Sequence, residues 1–134
     1  MTAARDISSL VQHFGVGARA SLAVTHNGVG YFAVTPQAPY DGALPAAEQA
    51  RQLLAKADGR LAEIGSGKDR LLFVAIIVAT MDDKEAVNAV WDAWVSDVTP
   101  PARACFEATL ASPDLKVEMI MLCATGQGDD SRAS

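Results

Sequence analysis

At 134 residues, half of them hydrophobic and with a net charge of −5, the chain is sized for one domain with a true core. It lacks the basic excess of a nucleic-acid-binding surface. Its longest apolar run, Leu71 to Ala79, falls far short of the ~20 residues that a membrane helix requires.

The opening residues lead into no long apolar run, so no secretory signal is expected. Ile7, Leu10, Val11 and Phe14 have helical spacing, but Gly15 and Gly17 interrupt it, which predicts a short helical turn or an irregular arm over residues 1–18. Ser21 to Thr25 and Val29 to Thr35 are rich in Val, Phe, Tyr and Thr and read as strands. Asn27-Gly28 between them is a hairpin signal, because both residues tolerate positive φ. Pro36, Pro39 and Gly42 then mark a loop.

Pro45 opens a helix whose apolar stripe is Ala50, Leu53, Leu54, Ala57, Leu61 and Ile64, with Gly65 as its C-terminal cap. Arg70 to Thr80 is a strand that does not alternate, so both of its faces are expected to be covered. With few helices available, one cover would be another subunit. Asp82, with Glu85 three residues on, predicts a capped helix running to about Val95 with Val87, Val90, Trp91 and Trp94 inward.

Pro100 and Pro101 stop the chain before the next element, since proline fixes φ and lacks a backbone donor. Arg103 to Thr109 and Lys116 to Ala124 are the last two strands, joined by a turn at Ser112-Pro113-Asp114. The order is strand, strand, helix, strand, helix, strand, strand. It predicts an α+β fold: one mixed sheet with both helices packed on one face. The domain spans residues 1–125, and residues 126–134 are polar enough to expect a disordered tail.

Alternation puts Arg103, Cys105 and Glu107 on one face of their strand. An arginine at the start of a strand presents a planar fork of donors suited to a carboxylate. The competing reading is an arginine that pairs with Glu107 or reaches to water. Glu118 lies among Val117, Met119, Ile120, Met121 and Leu122. A carboxylate there must be paired, solvated by a cavity or shifted in pKa. Cys105 is read as a small apolar strand residue or, with less support, as a nucleophile without an identifiable base.

Other chemistry is poorly supported. Gly65-Ser66-Gly67-Lys68 resembles a phosphate loop, but Ala62 stands where another glycine is needed and Asp69 where Ser or Thr is needed. His13 and His26 are the only histidines, and no spacing suggests a metal site. Cys105 and Cys123 have neither zinc nor CxxC spacing, so a reduced, cytoplasmic setting is expected.

Four segments in order resemble the Rid (YjgF, endoribonuclease L-PSP) family: Gln49-Ala50-Arg51-Gln52-x-Leu54, Val87-Asn88-Ala89-Val90-Trp91, Pro101-Ala102-Arg103-Ala104-Cys105-Phe106-Glu107 and Lys116-Val117-Glu118-Met119-Ile120. Arg19-x-Ser21-x-Ala23-Val24-x-His26-x-Gly28 points to a divergent branch of that family. The resemblance implies a chorismate-mutase-like α+β fold and a homotrimer with sheets inward and substrate clefts between subunits. It implies hydrolytic deamination of 2-imino acids or enamines without a cofactor. Arg103 would grip the substrate carboxylate and Glu118 would be the catalytic residue that activates water. Ser21, Tyr31, Val34, Asn88 and Cys105 would complete the substrate-binding set, with no metal and no nucleic-acid or membrane partner. The segment Tyr31-Phe32-Ala33-Val34-Thr35 departs from the family's usual Tyr-x-Ser/Ala-Gly-Gln, so Val34 is expected to narrow the pocket. The alternative is a trimeric module that binds a small carboxylate without turnover. A ribonuclease, as the older family name suggests, sits badly with the acidic charge.

Overall fold

The computed structural model describes residues 9–126. Six strands form one mixed sheet: β1 (Gln12–Val16), β2 (Ser21–His26), β3 (Val29–Val34), β4 (Leu71–Val78), β5 (Ala102–Glu107) and β6 (Val117–Ala124). Their spatial order is β1-β2-β3-β6-β4-β5. The helices are α1 (Ala46–Glu63) and α2 (Lys84–Trp94). All neighbouring strands are antiparallel except β4 and β5, which are parallel and joined through α2. A parallel pair needs such a crossover, whereas the β2–β3 pair needs only the Asn27-Gly28 turn. Both turn residues have positive φ, 54° and 79°.

The core lies between one face of the sheet and the two helices. Phe32, Val34, Val74, Ile76, Met119 and Met121 from the strands meet Leu53, Leu54, Leu61, Val87 and Trp91 from the helices. The apolar stripe predicted for α1 is buried throughout. That helix ends in a Schellman arrangement: Gly65 has φ 79°, its N–H donates to the Ala62 carbonyl, and the Ser66 N–H donates to the Leu61 carbonyl.

Two expectations are corrected. Residues 12–16 form strand β1, not a helical turn. Pairing with β2 turns Phe14 opposite Ala23 and packs it against the core, while Leu10 and Val11 of the supposed helical stripe stay exposed. Ile7 lies outside the described residues, as does the expected tail beyond Gly126. Asp82 does not cap α2. The side chain of Thr80 accepts the Asp82 N–H at 3.2 Å, a single-turn 3-10 helix covers Met81–Asp83, and α2 starts at Lys84.

The opposite sheet face carries no layer among the described residues. Leu22, Tyr31, Phe73, Phe106 and Ile120 on it are between 36% and 51% exposed. On β4, only Ala75 and Ile77 are shielded on that side. The expected second cover of this strand is not supplied by the described residues.

Candidate functional site

Arg103 sits on the edge strand β5, opposite Val74 of β4. Val74 is a core residue, so Arg103 shares the helix-facing side of the sheet. An edge position with a small neighbour on either side, Ala102 and Ala104, lets so large a side chain leave the core and run along α2. Its Nη1 donates to Asn88 Oδ1 at 2.7 Å, and its guanidinium carbon lies 5.8 Å from the centre of the Trp91 ring. Trp91 was expected only as a core residue. It is buried, and it also provides the shelf on which the guanidinium rests.

Glu107 is not the partner of Arg103. Its carboxylate accepts the backbone N–H of Met81 at 2.9 Å. Among the described residues the only ion pairs are Arg51–Glu48 and Lys68–Asp97, so no carboxylate neutralises Arg103. A guanidinium with one N–H committed to Asn88 retains donors for an anion. Cys105, two residues on, faces the same way and is half-buried against the core.

Arg103, Asn88 and Cys105 therefore come together, and the other candidates do not join them within one chain. Glu118 pairs with Ile77, which places it on the opposite, uncovered face. It is half-buried and has no hydrogen-bond or ion partner among the described residues. Tyr31 is also on the uncovered face, opposite Leu122. Ser21 lies on β2, four strands from β5, and Tyr31 on β3, three strands away. At about 4.8 Å per strand these are separations of roughly 19 and 14 Å.

Val34 does not narrow a ligand pocket. It is 2% exposed and packs in the core between sheet and helices. The strand's alternation gives the reason: Phe32 and Val34 point inward, Tyr31 and Ala33 outward. The two histidines lie on β1 and β2, at the far side of the sheet from Cys105, so no cysteine–histidine pair forms. Cys123 is buried, and burial pushes its thiol up from the ordinary range, which favours the unreactive protonated form.

The structural role of Gln49 was missed in the sequence, and Lys116, a possible ion partner of Glu118 on the sequence alone, is engaged elsewhere. Gln49, buried on α1, donates from Nε2 to the carbonyls of Asp41 and Asp114, at 3.0 and 2.8 Å. Its Oε1 accepts the Lys116 N–H at 2.8 Å. Lys116 Nζ donates to the carbonyls of Gly42 and Leu44, both at 2.6 Å. Together they bind the loop before α1 to the turn that leads into β6. The available signal was a glutamine placed on the apolar stripe, three residues after Ala46 and four before Leu53.

The described residues thus form a small α+β domain with a helix-backed sheet, an exposed apolar sheet face and, at the sheet edge, an arginine without an ion partner among them. The family model "Endoribonuclease L-PSP" matches residues 15–125. The chain belongs to this family, the YjgF/RutC group. A RutC family protein of Haemophilus influenzae is 39% identical over 113 residues, covering 84% of this chain and 96% of that protein. The RutC family protein YoaB of Escherichia coli is 36% identical over 107 residues, covering 80% and 91%. Among solved structures, the YjgF family protein NMB1025 of Neisseria meningitidis superposes with a TM-score of 0.82 at 37% identity, covering 90% of this chain and 98% of that one.

Proposed function

We propose that the chain is a cofactor-independent hydrolase of small 2-imino acids or enamines, acting in clefts between the subunits of a homotrimer. The observation that carries this reading is Arg103, held by Asn88 and Trp91 and without a carboxylate partner among the described residues. A substrate carboxylate would accept two parallel N–H bonds from it. Glu118 would take a proton from water as the water oxygen adds to the imine carbon. Glu118 would return that proton to the imine nitrogen to give the carbinolamine, and transfer of the hydroxyl proton to the same nitrogen would then expel ammonia and leave a 2-oxo acid. The imine carbon is already electrophilic, so no electron sink is required.

Assembly is part of the reading because Arg103 and Glu118 lie on opposite sheet faces. Seating the bare apolar face on a second copy would bury Ile120 and Phe106 and bring another chain's side chains beside each half-site. Both cysteines are free, which suits a reducing, cytoplasmic setting. Among the described residues no helix is long and apolar enough to cross a membrane.

The second reading, a carboxylate-binding module without turnover, is favoured by the separation of Arg103 from Glu118. Calorimetric titration with pyruvate beside an imine-hydrolysis assay separates the two. A charge-assisted bidentate bond contributes roughly 1.5–3 kcal/mol. Arg103→Lys keeps the charge but loses the fork, so it should weaken binding nearly as much as Arg103→Ala. Glu118→Gln should spare binding and lower turnover. If Arg103→Ala binds as well as the parent, the arginine is structural. Binding without imine hydrolysis supports the module.

A further inference from the structure

A recess of about 630 Å³ runs between α1 and α2 on the outer side of the helix layer. Neither Arg103 nor Glu118 lines it. Leu54 and Val90 form its buried floor, and Ala55, Ala89 and Ala93, all exposed, form its walls. Helices in contact usually fill the space between them by interleaving larger side chains. Alanine at these positions leaves a concave volume in the range of small-molecule sites, apolar and with a few polar groups at its margin.

The recess has a fixed aromatic wall at one end. Trp94 Nε1 donates to Asp58 Oδ2 at 3.2 Å, its ring packs 5.5 Å from that of Trp91, and the Lys68 ammonium lies 5.5 Å from its centre. Lys68 is itself held, by the Trp94 carbonyl at 2.7 Å and by Asp97 at 3.1 Å. Arg51 stands on the α1 margin, paired only with the exposed Glu48 of the same helix. An exposed pair of this kind contributes little, and the one N–H given to Glu48 leaves the guanidinium further donors. Glu48 and Asp97 offset the charges of Arg51 and Lys68, so what the margin offers an anion is the set of Arg51 N–H donors beyond the one given to Glu48.

We infer that this recess is a second binding site, distinct from the Arg103 site, for a small carboxylic acid with an aromatic or branched apolar body. The body lies on the alanine walls against Trp94, and the carboxylate meets Arg51. The assembled, isotope-labelled protein is titrated with 3-phenylpropanoate, with the neutral 3-phenylpropanamide as control, while the Trp94 indole N–H and the Ala89 and Ala93 amides are followed by NMR. The acid should shift all three resonances and bind about tenfold more tightly than the amide, the effect of one charge-assisted bond. Arg51→Gln should remove that advantage, Ala89→Phe should abolish binding by filling the recess, and Arg103→Ala should change nothing here. Unmoved resonances at millimolar acid overturn the inference, as does equal binding of acid and amide. Loss of the same shifts in Arg103→Ala overturns it too, by assigning the acid to the other site.

Discussion

Replacing Gln49 with leucine tests how the end of β6 is held. The two side chains are close in volume, so the substitution leaves no large cavity but deletes three hydrogen bonds, all to backbone groups. Gln49 is 1% exposed, so water does not simply take its place. The Asp41 and Asp114 carbonyls and the Lys116 N–H each lose a partner. A typical net contribution is about 1 kcal/mol per bond, and a buried group left unsatisfied costs about 1–3 kcal/mol. Added apolar burial by leucine offsets roughly 1–2 kcal/mol. The expected net loss is about 2–4 kcal/mol. Urea denaturation at one fixed protein concentration measures it, since assembly makes apparent stability depend on concentration. Gln49→Glu should be at least as damaging, because a carboxylate still accepts from Lys116 but turns lone pairs toward two carbonyl oxygens. A loss below 1 kcal/mol for Gln49→Leu, or a Gln49→Glu protein as stable as the parent, would refute the view that this side chain ties the loop to the strand.

Val34→Ala should lower stability by about 2 kcal/mol through lost core packing and leave ligand selectivity unchanged, as read by denaturation and by calorimetry with a series of 2-oxo acids. Ile120→Glu places a charge on the bare sheet face beside Glu118. Light scattering should find the parent as a trimer at micromolar concentration and the variant shifted to smaller species; a parent that is monomeric removes the subunit cleft. Thiol labelling at pH 8 should modify Cys105 well before Cys123, because the latter is buried and its thiol is pushed up. Equal rates would mean that β6 opens freely.

Most of the fold was legible because it rests on local signals. The stripe from Ala50 to Ile64, the Asn27-Gly28 turn and the Gly65 stop each act within a few residues. Strand β1 escaped because its five residues owe their conformation to β2, while their own spacing suggested a helix. The candidate site was legible in pieces. Alternation correctly grouped Arg103 with Cys105 and Glu107, but nothing local relates the faces of two different strands. That Arg103 and Glu118 point to opposite sides follows from the register of β4 with β5 and with β6. Val34 was misjudged for a related reason: comparison with the family's glycine drew attention to the position, whereas the parity shared with Phe32 sends its side chain to the core.

The bond between Glu107 and the Met81 N–H has a consequence for Arg103 at the other end of the same strand. Strand β5 is tied to the segment that starts α2 by Glu107 and to the middle of α2 by Arg103 and Asn88. Helix and strand are thus tied at two points, and the long arginine side chain already has a hydrogen-bond partner before any ligand arrives. Immobilising a rotamer-rich side chain on binding typically costs about 0.5–1.5 kcal/mol. Much of that ordering is completed when the chain folds, so an arriving anion meets a guanidinium whose direction has been chosen in advance.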